Sequence, residues 1–149
     1  MIRPATSRDA ALLARLRYEF RASFGTVEEP EAKFLRRCEH WMEERLEAGR
    51  HWSAWLAEVN GAAAGTIWLQ WIEKIPNPVA ELEWHAYITS LYVRESFRGN
   101  QLGNALLETA LAACRARGVD AVVLWPTPRS RTLYSRHGFA VRDDVMELR

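Results

Sequence analysis

The sequence predicts an α/β fold, in which helices cover a central sheet. Two observations support this prediction. Apolar residues recur with a helical period up to about residue 48 and then alternate with the period of a strand. Over residues 85–125 a strand, a helix and a second strand follow one another, which is the pattern of a right-handed crossover. The 149 residues are expected to form one domain, spanning residues 1–149.

The first third of the chain predicts a short strand at Ile2–Pro4 and two helices. Thr6 or Ser7 caps the first helix, and Asp9 favours its positive end. Gly49 ends the second helix. Apolar residues lie at helical spacing in both; they are Leu12, Leu13, Leu16 and Phe20, then Phe34, Leu35, Cys38, Trp41, Met42 and Leu46.

Strands dominate the middle of the chain. Trp52–Val59 and residues 62–72 read as two strands, and Asn60-Gly61 between them predicts a type I′ hairpin because both positions tolerate positive φ. Residues 81–93 predict a long strand with clean alternation, so that all its odd-numbered residues share one face.

The last third returns to mixed elements. A helix is predicted over residues 101–117 and ends at Gly118. Residues 119–125 are almost continuously apolar, as expected for a strand at the centre of a sheet covered on both faces. A short helix over residues 129–136 and a closing pair of strands, 138–142 and 145–148, complete the order.

Composition excludes several classes of function. The formal net charge of +1 argues against nonspecific nucleic-acid binding, which usually requires a strongly basic face. No apolar run approaches the roughly 18 residues of a membrane span, and no apolar stretch follows Arg3 as in a signal peptide. Cys38 and Cys114 are too few for a disulfide scaffold. We therefore expect a cytoplasmic protein without nucleic-acid or membrane partners; a homodimer stays open.

A small-residue turn between a strand and a helix carries the chemical signal. Backbone N–H groups of the first helical turn lack partners and attract anions, and a full charge on Arg98 adds to this field. Gly99 and Gly103 allow close approach of the backbone, so a diphosphate suits the turn. An ordinary strand–helix turn fits the spacing equally well. The segment reads Arg98, Gly99, Asn100, Gln101, Leu102, Gly103, Asn104.

Other motifs are missing from the sequence. The chain has no G-x-x-x-x-G-K-[ST], no G-x-G-x-x-G and no G-x-S-x-G. Its four histidines show no H-x-x-x-H spacing and no Cys-x-x-Cys partner, so no metal is expected.

The turn resembles the acyl-CoA-binding motif of the GNAT (Gcn5-related N-acetyltransferase) superfamily, Arg/Gln-x-x-Gly-x-Gly/Ala. This chain has Arg98-x-x-Gln101-x-Gly103. Residues 127–139 are similar to a second family segment, Asn-x-x-Ala-x-x-Leu-Tyr-x-x-x-Gly-Phe. The order of elements also resembles that of the family along the whole chain. Three residues depart from the motifs, namely Gln101, Thr127 and Ser130, and Gln101 keeps a usable N–H if its φ is negative.

The resemblance implies a fold and a cofactor site. The fold is a mixed, mostly antiparallel central sheet with helices on both faces and two strands splayed at the acyl-CoA site. Acetyl-CoA is the implied co-substrate, with its pyrophosphate at residues 98–104 and its pantetheine arm against the backbone of the long strand. The implied contacts on that strand are Leu91, Tyr92 and Val93, and those on the second segment are Thr127 and Ser130.

The resemblance also implies the catalytic groups. Tyr134 matches the family tyrosine, and a phenol there can donate a proton to the leaving thiolate. Several family members place a Glu or His base on the long strand, where this chain has Tyr87, a poor base. Glu83 and His85, next along the same face, are then candidates that act through water. A half-buried tyrosine and solvated strand residues are the purely structural interpretations.

The implied activity is N-acetyl transfer to an amine by direct attack in a ternary complex. The acceptor is a small-molecule or peptide amine that the sequence does not name. Two alternatives stay open: a noncatalytic acyl-CoA sensor, or an interaction module that uses a tryptophan-rich surface. The tryptophans considered for such a surface are Trp41, Trp52, Trp55, Trp68 and Trp71.

Overall fold

The computed structural model describes residues 1–25 and 27–149 and contains one five-stranded sheet. The strands lie in the order β1-β2-β3-β4-β5; β1 to β4 are antiparallel to their neighbours, and β5 is parallel to β4. The elements are β1 (Ile2–Pro4), α1 (Ala10–Ala22), α2 (Glu31–Ala48), β2 (Trp52–Val59), β3 (Ala62–Glu73), β4 (Trp84–Val93), α3 (Leu102–Arg117), β5 (Ala121–Val123) and α4 (Arg131–Arg136).

The predicted ends of the second helix at Gly49 and of the third helix at Gly118, and the predicted hairpin, are confirmed. Asn60 and Gly61 adopt φ of 51° and 79°, as a type I′ turn requires, and Gly49 ends α2 with φ of 64°. Before α1, the backbone N–H of Thr6 donates to the Asp9 carboxylate at 2.8 Å. Arg3 binds the same carboxylate through both terminal nitrogens at 2.9 Å, and this guanidinium holds the pKa of Asp9 below its usual range.

Two apolar cores lie on opposite faces of the sheet. The core on one face joins α1 and α2 to the sheet through Leu13, Leu16, Met42 and Trp68. The core on the other face joins α3 and α4 to residues of β3 and β4, including Ile67, Leu69 and Ile88. Helices therefore cover both faces, as the sequence resemblance implied. Within the described part of the chain, none of these helices combines the length and apolarity needed to cross a bilayer.

The five tryptophans considered above for an interaction surface do not form an open one. Trp55, Trp68 and Trp71 are buried, each at 8% exposure or less. Trp41 and Trp52 are half-buried and pack with Trp68, with ring centroids 5.0–6.2 Å apart. These five side chains thus fill the cores, and they offer little free surface for a partner.

A bulge in β4 overturns the predicted clean alternation. Thr66 and Trp68 of β3 pair with Tyr92 and Thr89, so β4 has one extra residue in this stretch. The extra residue lies at Ser90, which is buried and has a φ of 55°. Because of this insertion, the face directed at α3 changes from even to odd positions. Ala86 and Ile88 occupy it before the bulge, and Leu91 and Val93 after it.

Three boundaries differ from the sequence prediction. β4 begins at Trp84 rather than at residue 81, so Glu83 precedes it in a bend. β5 covers only Ala121–Val123 and is an edge strand of the described sheet, not a central one. Residues 138–142 and 145–148 do not form the predicted closing strands. A three-residue β5 offers a short edge for them, and the exposed pair of Arg142 and Asp144 lies between them.

Gly65 allows β3 to lie closely against the bulge. A Cβ at this position would lie 2.6 Å from the Tyr92 carbonyl oxygen and 3.3 Å from Leu106 Cδ1. The first distance is shorter than any stable contact, and its partner is backbone that cannot rotate away. The bulge and its register therefore depend on the missing side chain at residue 65.

Replacing Gly65 with Ala should destabilise the fold by about 1–3 kcal/mol, the usual effect of overpacking a filled core. Urea unfolding followed by circular dichroism measures the change. Ala62→Val, which adds volume at an exposed end of the same strand, is the matched control and should change stability by no more than about 0.5 kcal/mol. A Gly65→Ala variant as stable as the wild type would show that this close approach does not constrain the bulge.

Candidate active site

A gap opens in the sheet between β4 and β5. The two strands pair only from His85 with Ala121 to Tyr87 with Val123. β4 continues to Val93, whereas the chain after Val123 leaves the sheet. The implied splaying of two strands is confirmed, and it begins at Tyr87. Backbone groups of β4 beyond this point are not used by a ladder with β5, so those directed away from β3 can bind a ligand, although the Val93 carbonyl already accepts a hydrogen bond from Arg98.

The α3 N-terminus lies at the end of the splayed strand. Ala105 donates the first intrahelical bond, to the Gln101 carbonyl at 3.0 Å, so the N–H groups of the preceding turn have no helical partner. Gly103 keeps this turn accessible: a Cβ there would meet only Leu133 and Val93 side chains, each at 3.9 Å. Unpaired N–H groups and a positive helix end are the donor set that a pyrophosphate requires.

Gln101 occupies a glycine-like conformation. Its φ is 62°, so the condition of a negative φ that was attached to this departure from the motif is not met. The left-handed conformation is the one that a glycine adopts readily, and it costs a side chain roughly 1–2 kcal/mol. The backbone of the turn therefore keeps the shape that a glycine would give it, at the expense of local strain.

Polar side chains around the turn are tied to nearby groups. Arg98 Nε donates to the Val93 carbonyl at 2.9 Å, which joins the turn to the end of β4, and Asn100 donates to the Phe97 carbonyl at 3.2 Å. Asn104 lies 2.6 Å from His137 Nε2, which links α3 to the end of α4. His137 is thus part of the scaffold. Gly99, with φ of 83°, and Leu102, at the start of α3, complete the turn.

The three predicted residues at the end of β4 point to different faces. The Leu91 and Val93 side chains pack on the α3 face as part of its apolar core. Tyr92 lies on the α1 face, where its ring centroid is 5.5 Å from that of Phe20. Burial, followed by the negative charge of Glu19, raises the pKa of the Tyr92 phenol. Any ligand contact of these residues therefore involves their backbone rather than the Tyr92 hydroxyl.

Tyr134 is a buried phenol on α4, on the same face of the sheet as α3. It is 8% exposed and packs edge-on against Phe139, with ring centroids 5.6 Å apart. Burial, helped by the nearby Tyr87, raises the pKa of Tyr134 to about 12. The hydroxyl is therefore protonated at neutral pH and suited to donate a proton or a hydrogen bond.

Thr127 and Ser130 bind one another at the start of α4. The Thr127 N–H and hydroxyl both donate to Ser130 Oγ at 2.9 Å, and the Ser130 N–H points to Thr127 Oγ1 at 3.2 Å. These reciprocal bonds close the turn that precedes α4, although the Ser130 side chain makes no capping bond to the helix itself. In this structure the two residues orient α4, and with it Tyr134.

The two candidate bases are separated by the true start of β4. Glu83 is exposed in the bend before the strand, where its carbonyl accepts the Lys74 N–H at 2.9 Å. His85 lies within β4, two residues before Tyr87 on the same face, and its Nδ1 is buried without a hydrogen-bond partner among the described residues. The predicted sharing of one strand face therefore holds for His85 and is wrong for Glu83.

A groove beside the gap was not predicted from the sequence. Its lining residues come from β3, β4 and the chain around β5; they are Gln70, Ile72, Tyr87, Val123 and Trp125. A tryptophan immediately before Pro126, at the end of an apolar strand, was the one signal that could have indicated it. We refer to this feature as the Tyr87–Trp125 groove.

The described residues offer no metal site. Residues 1–25 and 27–149 contain no group of three or more His, Cys, Asp or Glu side chains placed to share a metal ion. Both thiols are free, and burial raises the pKa of Cys114 to about 11. A thiol of this kind is a poor nucleophile at neutral pH.

Comparison with known proteins identifies related chains. The acetyltransferase (GNAT) family model matches residues 13–139. The fold is similar to that of a GCN5-related N-acetyltransferase from Ralstonia eutropha JMP134, with 29% identity, TM-score 0.83, and 99% and 97% of the two chains covered. No curated protein sequence matches the chain.

Two further crystal structures share the fold at lower identity. A predicted acetyltransferase from Clostridium acetobutylicum, crystallised with acetyl-CoA, has 23% identity and TM-score 0.83, with 100% and 95% of the chains covered. A ribosomal-protein-alanine N-acetyltransferase from Brucella melitensis has 22% identity and TM-score 0.73, with 100% and 99% covered.

Proposed function

Because the chain belongs to the acetyltransferase (GNAT) family, we propose that it transfers an acetyl group from acetyl-CoA to an amine by direct attack in a ternary complex. The observation that carries this proposal is the gap between β4 and β5, with the α3 N-terminus at one end and the Tyr134 phenol beside it. Such a reaction needs a thioester, a turn that binds the anionic part of the co-substrate and a group that donates a proton. The two cysteines, Cys38 on α2 and Cys114 on α3, have pKa values raised by burial, which supports direct attack over an acyl-enzyme.

The residues of the α3 turn are suited to hold the co-substrate. Free N–H groups of the turn from Gln101 to Asn104 would bind its pyrophosphate, and Arg98 would add positive charge at the mouth. Backbone groups of Leu91 and Val93 would bind the pantetheine arm along the splayed strand. Bound acetyl-CoA supplies an acyl thioester, whose carbon–sulfur bond breaks as the new carbon–nitrogen bond forms.

Tyr134 would act at the sulfur. The electron pair of the broken bond stays on sulfur, and a thiolate in a partly dry site is unfavourable. The Tyr134 hydroxyl, protonated because its pKa is raised to about 12, donates its proton there and regains one from solvent. The products are then an amide and a thiol.

His85 would accept the proton that the amine loses. An alkylamine is mostly cationic at neutral pH and must lose a proton before it attacks. Of the two predicted acceptors, the geometry favours His85, which lies about 7 Å along β4 from the start of the gap at Tyr87. The amine proton would pass through water to His85 and then to solvent. Every proton of the proposed reaction is then accounted for.

Introducing a negative charge at the turn should prevent CoA binding. Gly103→Glu places bulk and charge against the proposed pyrophosphate site and should weaken CoA binding at least about tenfold by calorimetry. Gly103→Ala is the matched control, because its Cβ would meet only ordinary contacts at 3.9 Å, and it should bind within about threefold of the wild type. A folded Gly103→Glu variant with wild-type affinity would place the site elsewhere.

Removing the Tyr134 hydroxyl should slow acetyl transfer. Tyr134→Phe should lower kcat at least about tenfold, a loss of about 1.4 kcal/mol of transition-state stabilisation, with little change in CoA affinity. The assay is amine-dependent release of CoA from acetyl-CoA. The wild-type rate should show no alkaline loss from this donor below about pH 10, because its pKa is raised to about 12.

Tyr18→Phe serves as the control. It removes a hydroxyl from a tyrosine of α1 whose ring packs, tilted, against Phe34 of α2. A Tyr134→Phe variant with wild-type kcat, measured where chemistry limits turnover, would contradict the assignment of the acid. Thermal stabilisation by CoA without turnover of any amine would favour the noncatalytic sensor.

The pH profile distinguishes the two proposed proton acceptors. A base accepts protons only when it is deprotonated, so kcat/KM should rise with pH through its titration. His85→Ala should lower kcat/KM at least about tenfold and change this rising limb. Glu83→Gln, in the exposed bend before β4, should have the smaller effect. Profiles unchanged in both variants would leave bulk water as the proton acceptor.

A further inference from the structure

The Tyr87–Trp125 groove lies on the face of the sheet opposite to Tyr134. Trp68 of β3 packs with α1 and α2, so Gln70 and Ile72, at the next alternate positions, point to the same side. Gln70 pairs with Tyr87 across the ladder. The groove is open to solvent and has a volume of about 500 Å³, which is within the range of small-molecule sites.

The walls of the groove are apolar and lack a covering partner. Ile72, Val123 and Trp125 are 37%, 39% and 63% exposed, although large apolar side chains of a folded domain are mostly buried. Tyr87 and Trp125 pack edge-to-face with ring centroids 5.2 Å apart. This geometry is favourable for an aromatic pair, so the wall is already formed before any ligand binds.

The charge around the groove limits what it can hold. Among the described lining residues none is charged, and the polar side-chain groups are the Gln70 amide, the Tyr87 hydroxyl and the Trp125 indole N–H. Arg17 of α1 interacts with Tyr87, and burial lowers the pKa of its guanidinium without neutralising it. Arg17 takes part in none of the ion pairs of the described chain. A ligand with several positive charges would find no carboxylate here and would be repelled by Arg17.

The groove reaches the position where the reaction would occur. Tyr87 is both a wall of the groove and the last β4 residue that pairs with β5. The gap starts there, and Tyr87 is close enough to Tyr134 to contribute, after burial, to the raised pKa of the Tyr134 phenol. A ligand in the groove therefore approaches the gap from the α1 face, while the α3 turn serves the other face.

We propose that the Tyr87–Trp125 groove is the acceptor subsite and that it selects a monoamine carrying an aromatic or large apolar group. The apolar group lies against Trp125 and Ile72, and the amine is directed past Tyr87 into the gap. This inference rests on the proposed function, and it excludes polyamines and aminoglycosides as preferred acceptors.

The test compares phenethylamine with ethylamine, which lacks only the ring, and with spermidine. Phenethylamine should have at least about a tenfold higher kcat/KM than either. Trp125→Ala should reduce the ratio of kcat/KM for phenethylamine over ethylamine about tenfold. Met146→Ala removes an apolar side chain that is 98% exposed outside the groove and should leave this ratio unchanged.

The outcomes separate this inference from the proposed function. Turnover of spermidine in preference to phenethylamine, or an unchanged ratio in Trp125→Ala, overturns the groove assignment and leaves acetyl transfer intact. Failure of every amine to release CoA overturns the proposed function. Calorimetric titration of phenethylamine into wild type and Trp125→Ala then tests the groove by binding alone, and equal affinities overturn it.

Discussion

The close approach of Gly65 to the backbone of Tyr92 is the constraint on which the rest of this structure depends. It accompanies an extra residue at Ser90, and that residue changes which face of the sheet each following side chain of β4 occupies. Leu91 and Val93 then anchor the strand end to α3. Without this insertion, alternation would direct both side chains to α1 and leave the α3 core unfilled.

Because of the bulge and the short β5, the two faces of the sheet carry different groups beside the gap. The α3 face carries the anion-binding turn and Tyr134, both held by the core that includes Leu106 and Leu133. The α1 face carries the Tyr87–Trp125 groove, with Arg17 near it. The two proposed ligands would approach from opposite faces and meet at the gap, and the proposed ternary complex would then form without either ligand blocking the other.

Burial sets the protonation of the phenol beside the gap. The pKa of Tyr134 is raised to about 12 chiefly because the phenolate would be poorly solvated. The strained Gln101 is a different case: a side chain occupies backbone geometry that a glycine adopts freely. The surrounding scaffold holds Gln101 in this conformation, because the bond from Arg98 to the Val93 carbonyl joins the turn to the end of β4.

Features that depend on neighbouring residues could be predicted from the sequence. The Asn60-Gly61 hairpin, the end of α2 at Gly49 and the family motifs are of this kind, because turn geometry and helix capping involve only a few consecutive residues. Other features depend on contacts between distant parts of the chain. The bulge requires β3 to lie against β4, the exclusion of Glu83 from β4 follows from how far that pairing extends, and the groove combines residues from separate strands. Period-two alternation cannot reveal an inserted residue, since the insertion is stabilised by contacts distant in the chain.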